Sequence, residues 1–147
     1  ISSTKIRNAL NEGDVKTAAN YLGRNYELGG IVIKGKQMGR SIGFPTANIE
    51  IGDKYKLIPH NGVYAVKISI DNKLYNGMLN IGVRPTFNED NKISIEAHIF
   101  NLNEDIYHKS ISVSFVDRIR SEKKFSGTDE LKKQLDEDKK SVQSLLL

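Results

Sequence analysis

A glycine-rich stretch with two cations, residues 35–41 (GKQMGRS), is the first place where the sequence could bind a phosphate. Glycines allow backbone N–H groups to approach a phosphate closely, and Lys36 and Arg40 could balance its charge. The spacing is not that of a P-loop, Gly-x-x-x-x-Gly-Lys-Ser/Thr, and Pro45 forbids an immediate helix. On spacing alone, a flexible connecting loop is the favoured interpretation.

A second segment, Pro45-Thr46-Ala47-Asn48, contains two oxygen-bearing side chains. On an extended backbone, residues two apart point to the same side. A threonine hydroxyl and an asparagine carbonyl are hard oxygen donors of the kind that Mg²⁺ accepts beside substrate phosphates. The alternative is a turn in which Asn48 bonds its own backbone, and composition does not decide between the two.

A third segment, residues 93–99 (ISIEAHI), alternates between apolar and polar side chains. Alternation places Glu96 and His98 on one face of a strand and the isoleucines and alanine on the other. If the polar face lines a cleft, Glu96 could act as a general base; otherwise both are ordinary surface groups. His98 is more often a structural histidine than a ligand in such a pattern, and the three histidines show no zinc-site spacing.

A fourth segment, residues 118–125 (RIRSEKKF), could hold a phosphate or an aromatic ligand. The plainer interpretation is a solvated linker between the last strand and a final helix. No Ser/His/Asp arrangement stands out in the chain, and its Phe and Tyr residues do not form the aromatic and basic stripe of an RNA-binding sheet.

The composition is that of one globular domain. The chain has 147 residues, 38% hydrophobic and 27% charged, with a net charge of +4 and no cysteine. The missing cysteines exclude a disulfide scaffold, a thiolate zinc site and a cysteine nucleophile, and fit a reducing compartment such as the cytoplasm. No run approaches the ~20 apolar residues of a membrane span. Because residue 1 is Ile, we expect this sequence to be part of a longer protein.

Helices are predicted at both ends of the chain. Residues 1–24 read as two short helices, with Asp14 capping the second and glycines ending both. Residues 126–147 read as one helix that Ser126 or Thr128 caps. Its apolar stripe is Leu131, Leu135, Val142, Leu145 and Leu146. Its solvated face is predicted to carry Lys132, Lys133, Asp136, Glu137, Asp138, Lys139 and Lys140.

Residues 26–120 read as β structure. Alternation is clear over 62–70, 93–99 and 111–115, and residues 71–73 predict a turn into a strand over 74–81. About six strands without intervening helices suggest an antiparallel barrel or sandwich. Residues 36–55 break the pattern and predict a long irregular excursion, which in a compact domain is usually functional.

Together these pieces resemble the riboflavin kinase family over essentially the whole chain. The most specific match is residues 39–48 (GRSIGFPTAN). Four further motifs follow in the family's order: 62–65 (GVYA), 80–87 (NIGVRPTF), 96–100 (EAHIF) and 120–125 (RSEKKF). Residues 1–7 (ISSTKIR) also resemble the motif that closes the adenylyltransferase half of bifunctional bacterial members. We therefore predict a helical junction over 1–24 and a kinase domain over 25–147.

The resemblance implies a six-stranded antiparallel Greek-key barrel with a C-terminal helix, and transfer of the ATP γ-phosphoryl group to the 5′-hydroxyl of riboflavin, giving FMN and ADP. It implies Glu96 as the catalytic carboxylate, and Thr46 and Asn48 as ligands of Mg²⁺ or another divalent metal. It implies flavin contacts from Arg120 and Phe125. The ATP and phosphate contacts that it implies are Gly35, Lys36, Gly39, Arg40, Gly43, Thr46 and Asn48.

The partners implied by the resemblance are riboflavin or FMN, ATP or ADP, and the adenylyltransferase half of the same polypeptide, with no nucleic acid and no membrane. FAD formation would require that other half, whose nucleotide-binding motif this chain lacks. A small basic barrel that binds RNA or single-stranded DNA is the rival hypothesis, and the missing aromatic platforms disfavour it. A flavin-binding domain without catalysis is a third hypothesis, which the presence of Glu96, Thr46 and Asn48 disfavours.

Overall fold

The computed structural model describes residues 3–33, 43–85 and 91–147. Within them, six strands form a closed barrel in the order β1-β2-β5-β4-β3-β6, and every pair of neighbours is antiparallel. This confirms the predicted six-stranded antiparallel barrel. The elements are α1 Ser3–Asn11, α2 Val15–Leu22, β1 Glu27–Ile33, β2 Ala47–Ile51, β3 Gly62–Ile70, β4 Lys73–Pro85, β5 Asn91–Ile99, β6 Ser110–Arg120 and α3 Thr128–Leu145.

Strands β3 and β4 form the hairpin that the sequence predicts. Asp71 and Asn72 both have positive φ, 50° and 65°, and residues 62–70 pair in unbroken register with residues 73–81. Two residues with positive φ give a hairpin turn whose twist matches the strands, and Asp and Asn tolerate that conformation well. Strand β4 continues to Pro85, four residues beyond the predicted end.

The inside and the outside of the barrel are both packed. The interior contains Tyr64, Val66, Ile68, Ile95, Ala97, Val113 and Phe115, which alternation predicted, together with Val32, Ile49, Leu79 and Ile81, which it did not. The edge of the Tyr64 ring meets the face of Phe115, with centroids 5.2 Å apart. Alternate residues of the same strands therefore point outward, where part of the wall is covered by α3.

Helices α1 and α2 close one end of the barrel, where β3 begins and β6 ends. Leu10 and Val15 are buried in the same apolar cluster as the barrel interior. Asp14 caps α2 as predicted, and the hydrogen bonds from Thr17 lower the pKa of its carboxyl group. The helical pair thus shares the core of the barrel, while a domain boundary at residue 24 stays a prediction.

Helix α3 packs on the outer wall and buries a second apolar cluster. That cluster contains Phe44, Val63, Ala65, Met78, Phe100, Val142 and Leu146. Two predictions about this helix were wrong. Asp138, expected on the solvated face, is 2% exposed and ion-paired with Arg120. The N-cap is Gly127, which has no side chain to cap with; instead Glu130 accepts hydrogen bonds from Ser126.

The expected irregular stretch over 36–55 is partly regular, because residues 47–51 form β2 and pair with both β1 and β5. A strand of five residues between glycine-rich neighbours carries too short an alternation to be recognised. The candidate phosphate loop, residues 35–41, lies outside the described residues. Residues 86–90, between β4 and β5, lie outside them as well.

Candidate active site

Three polar side chains lie side by side across three neighbouring strands. In the register of the sheet, Asn48 of β2 is the partner of Glu96 of β5, and Glu96 is in turn the partner of Asn80 of β4. Directly opposite residues share a face of the sheet, with Cβ atoms roughly 5 Å apart. The structure therefore brings Asn48 and Glu96 together, although 48 positions separate them in the sequence.

This polar row lies on the outer face of the barrel. Ile49, Ile95 and Leu79, each adjacent in sequence to a member of the row, are buried in the interior cluster. Asn48 is 9% exposed, and Glu96 and Asn80 are partly buried. The alternation that placed Glu96 and His98 opposite the apolar face is confirmed, and the face that they occupy is partly covered rather than freely solvated.

Thr46 stands at the rim of the barrel, immediately before β2. A cleft of about 370 Å³ opens there, with Val32, Thr46, Ala97, Ile99, Leu102 and Tyr107 among its lining residues. Thr46 lines this cleft and is two residues from Asn48, which lies in the polar row. Thr46 thus lies between the cleft at the rim and the polar row on the outer wall.

His98 ties the segment before Thr46 to β5. Its Nδ1 lies 2.8 Å from the carbonyl oxygen of Pro45, and because a carbonyl can only accept, Nδ1 carries the proton. The ring packs against Phe44 and Phe100, with centroids 5.2 and 5.4 Å away. Burial lowers the pKa of His98, an effect that the Pro45 hydrogen bond opposes and the charge of Lys139 reinforces. A neutral imidazole therefore fixes the backbone beside Thr46.

Arg120 is fully engaged by its neighbours. Its Nε and Nη2 donate to the carboxylate of Asp138 at 2.9 to 3.1 Å, and Nη1 donates to the carbonyl of Ser121 at 3.0 Å. Gln134 donates a further hydrogen bond to Asp138 at 2.9 Å. The paired geometry fixes the end of β6 to α3. The predicted flavin contact of Arg120 stays a prediction, and its guanidinium already has partners.

The segment after β6 returns over the outer wall. Phe125 is half-buried and lies beneath two cations, with the guanidinium carbon of Arg120 and the Nζ of Lys123 each 5.9 Å from its ring centroid. Glu122 lies against Gly82, where its carboxylate occupies the space that a Cβ would fill. Gly82 follows Asn80 on the same face of β4, so this segment comes close to the polar row.

Of the predicted nucleotide contacts, Gly35, Lys36, Gly39 and Arg40 lie outside the described residues. Gly43 is described and exposed, with φ of +84°, a backbone conformation that glycine adopts without strain. It leads directly into buried Phe44, which anchors this segment against His98.

The donor set suits a divalent ion that is shared with a phosphate ligand. Across the residues that the structure describes, no group of three or more His, Cys, Asp or Glu could hold a metal by itself. Thr46 and Asn48 offer two neutral oxygens, and Mg²⁺ typically takes few protein ligands while keeping waters and phosphate oxygens. These residues therefore fit a magnesium–nucleotide complex better than an all-protein metal cage.

Sequence reasoning missed the roles of three residues. For Asn80, its alternation with Leu79 and Ile81 would have placed it on the outer face. The anchoring function of His98 and the pairing of Asp138 with Arg120 depend on contacts between distant segments. No local pattern indicates such contacts.

The chain matches a known protein family over most of its length. Residues 22–146 match the Flavokinase model, described as riboflavin kinase. The chain belongs to the riboflavin kinase family. It is 46% identical over 144 residues to the bifunctional riboflavin kinase/FMN adenylyltransferase of Bacillus subtilis, covering 97% of this chain and 45% of that protein. The chain thus spans about half the length of that curated relative.

Two solved structures share the fold. A Streptococcus pneumoniae protein described as a macrolide-efflux protein superposes with a TM-score of 0.92 at 38% identity, covering 97% of this chain and 46% of that one. Riboflavin kinase from Trypanosoma brucei superposes with a TM-score of 0.56 at 23% identity, covering 82% of this chain and 78% of that one, and this likeness shows the fold alone. Among the helices within the described ranges, none has the length and apolarity to cross a membrane.

Proposed function

We propose that this chain transfers the γ-phosphoryl group of ATP to the 5′-hydroxyl of riboflavin, giving FMN and ADP. The observation that carries the proposal is the row of Asn48 and Glu96 next to Thr46 at the rim cleft, in a chain that belongs to the riboflavin kinase family. Phosphoryl transfer needs alignment and charge neutralisation more than covalent help from the protein, and this row can supply both.

The rim cleft is proposed to hold the adenosine part of ATP. Its walls combine apolar side chains such as Val32 and Ile99 with residues 102–107, of which residues 103–105 are polar and exposed. That mixture suits a flat heterocycle that needs both stacking surface and hydrogen-bond partners. A nucleotide bound there would extend its phosphates past Thr46 toward the outer wall.

Thr46 and Asn48 are proposed to hold the divalent ion together with phosphate oxygens. When bound, the ion would neutralise charge on the transferred phosphoryl group. The protein's own contribution is to hold the two oxygens in place, since β2 pairs Asn48 with Glu96 and the His98 hydrogen bond holds the Pro45 carbonyl.

Glu96 is proposed to orient the acceptor hydroxyl and to receive its proton. A carboxylate can fill this role, because proton loss from the alcohol comes late in a loose phosphoryl transfer. The flavin is proposed to lie on the outer wall beside Asn80, under the segment that contains Phe125. The half-buried ring of Phe125 offers an apolar surface there.

Turnover is the direct test. The chain is mixed with riboflavin, ATP and Mg²⁺, and the flavins are separated by chromatography. We expect FMN from the parent chain and a loss of kcat of roughly 10²-fold or more from Glu96→Gln, in line with the usual contribution of a general base. Thr46→Val should raise the Mg²⁺ concentration needed for half-maximal rate.

The matched control is Glu27→Gln. Glu27 is an exposed glutamate of β1 and does not belong to the polar row. It should turn over like the parent chain. Normal turnover of Glu96→Gln would refute the assignment of Glu96. The absence of any FMN, with an intact circular dichroism spectrum, would refute the proposed function and favour the nucleic-acid-binding alternative, which salt-sensitive oligonucleotide binding would then reveal.

For the whole protein, we propose that the other half adenylylates FMN to FAD. The Bacillus subtilis relative carries both activities in its name, and this chain covers 45% of that relative. In the same assay the chain alone should therefore accumulate FMN without FAD. Formation of FAD by this chain alone would contradict the assignment of adenylylation to the other half.

A further inference from the structure

The amide of Asn80 has an unsatisfied oxygen next to the proposed catalytic carboxylate. Within the described chain, Asn80 Oδ1 is buried and accepts no hydrogen bond. Asn80 is the register partner of Glu96 on one side and of buried Val63 on the other. A buried acceptor without a donor costs free energy, so a protein that keeps one usually does so for a ligand or a water.

Two carboxylates lie near Asn80. Glu96 lies roughly 5 Å to one side across the sheet. Glu122 lies over Gly82, two residues further along β4 and so about 7 Å away along the strand. The missing side chain of Gly82 leaves the space that the Glu122 carboxylate occupies. Three acceptor side chains in this arrangement are complementary to a chain that bears several hydroxyl donors.

We infer that Asn80 accepts a hydrogen bond from a non-reacting hydroxyl of the acceptor substrate, and so selects acceptors with a polyhydroxyl chain. This inference rests on the proposed function and adds to it a residue for acceptor specificity. The side chain of Asn80 is only partly buried, so its amide can turn about the last torsion and present the oxygen to the open side. Turning the amide exchanges the positions of Oδ1 and Nδ2, and Oδ1 gives up no hydrogen bond in doing so.

The test compares Asn80→Ala with Asn76→Ala, an exposed asparagine on the same strand and face. Asn80→Ala should raise the KM for riboflavin roughly 5-fold, the effect of one neutral hydrogen bond, while the KM for ATP and the kcat stay within about 2-fold. Asn76→Ala should behave like the parent chain. Asn80→Ser, which retains a small acceptor, should recover part of the affinity.

A flavin without the hydroxylated chain separates recognition from structure. Lumiflavin is used as an inhibitor, and its inhibition constant is measured for the parent chain and for Asn80→Ala. We expect no change, because lumiflavin offers Asn80 no hydroxyl. The thermal midpoint should also stay level or rise, since the substitution removes an unpartnered oxygen and no existing hydrogen bond from it.

Three results would overturn the inference: an unchanged KM for riboflavin, an equal loss of lumiflavin affinity, or a lowered thermal midpoint that accounts for the loss. These outcomes differ from failure of the proposed function, in which the parent chain makes no FMN at all. Normal FMN formation by the parent chain and by Asn80→Ala alike would remove only the role of Asn80.

Discussion

Two helical regions pack against the barrel, and an arginine of β6 holds each of them. At the end of the barrel, Arg118 contacts Gly13 between α1 and α2 and donates to the carbonyl of Asn61. On the outer wall, Arg120 forms a paired salt bridge with buried Asp138 of α3. The first arginine donates to one backbone carbonyl and the second pairs with an opposite charge, so the two attachments should respond differently to substitution.

A β-bulge makes this division possible. Val63 pairs with Arg120 and Tyr64 pairs with Arg118, which leaves Ile119 as an extra residue in β6. An extra residue shifts the alternation by one, so two arginines that would otherwise share a face point to opposite sides of the sheet. Arg118 therefore reaches the closed end with Tyr64, whereas Arg120 reaches the wall under α3.

The two helical regions should differ in whether damage to them affects activity as well as stability. The helical pair adds Leu10 and Val15 to the interior cluster and contributes no residue to the polar row. Helix α3 lies on the same outer face as Glu96, and its partner Arg120 begins the segment that contains Phe125. Damage at the closed end should thus lower stability alone, whereas damage under α3 should lower both stability and activity.

The largest combined effect, on stability and on activity, is expected from Asp138→Asn. It leaves the guanidinium of Arg120 without its counter-charge, and breaking a buried pair from one side costs about 3 to 5 kcal/mol. We expect the free energy of unfolding, measured by urea denaturation, to fall by about 3 kcal/mol, because Arg120 is slightly exposed. The kcat/KM for riboflavin should fall as well, even where the variant is fully folded.

The double substitution Arg120→Met with Asp138→Leu is its control. Replacing both charges with apolar side chains of similar size often restores stability. It should therefore recover most of the lost free energy of unfolding. If Asp138→Asn left stability unchanged, the salt bridge would not be what holds α3.

Leu10→Ala tests the closed end of the barrel. Leu10 is 2% exposed, and truncation of a buried leucine costs about 2 to 5 kcal/mol. We expect a loss of about 3 kcal/mol in the free energy of unfolding and an unchanged kcat at a temperature where the variant is folded. Leu74→Ala, at a residue 66% exposed, should change neither quantity. A large drop in kcat for folded Leu10→Ala would contradict the expectation that damage at the closed end lowers stability alone.

The residues in these two regions also show which side-chain orientations the sequence could predict. Period-two alternation placed Glu96 opposite the interior, because neither β3 nor β5 is interrupted within the predicted segments. The bulge at Ile119 has no sequence signal, so the opposite orientations of Arg118 and Arg120 could not be predicted. Asp138 stands in a run of charges typical of a solvated helix face, and only its ion pair with a residue 18 positions earlier explains its burial.

The site itself was predictable through the resemblance more than through local pattern. Thr46 and Asn48 suggested a metal site only as one of two interpretations. Their proximity to Glu96 depends on the pairing of β2 with β5, a contact between strands that are not consecutive in sequence. Such long-range pairing is determined by closure of the whole barrel, which residue spacing does not encode.

Gly13→Ala and Gly23→Ala form a matched pair for the Arg118 attachment. Both glycines have φ near +80°, where a residue with a Cβ is strained by about 1 kcal/mol. A Cβ on Gly13 would lie 2.8 Å from Arg118, whereas one on Gly23 would meet nothing within 4 Å. We expect losses of about 2 and 1 kcal/mol in the free energy of unfolding. Equal losses would show that Arg118 adapts freely and does not hold the helical pair.

The smallest effect concerns the loss of stability at low pH. We expect it to come from His98 on the outer wall and not from the closed end of the barrel. Burial lowers the pKa of His98 in the folded state, so between its usual value near 6.5 and the lowered value the unfolded chain binds more protons. Stability should therefore fall as the pH falls below about 6.5, with a contribution of at most about 1.4 kcal/mol per pH unit.

His98→Asn should flatten that part of the curve of unfolding free energy against pH, because asparagine can donate to Pro45 but does not titrate. His108→Asn is the matched control, since His108 is exposed and its φ of 68° suits asparagine. It should leave the slope unchanged. Unfolding by urea at several pH values gives the three slopes, and equal slopes for the parent chain and His98→Asn would assign the acid sensitivity to carboxylates instead of the wall histidine.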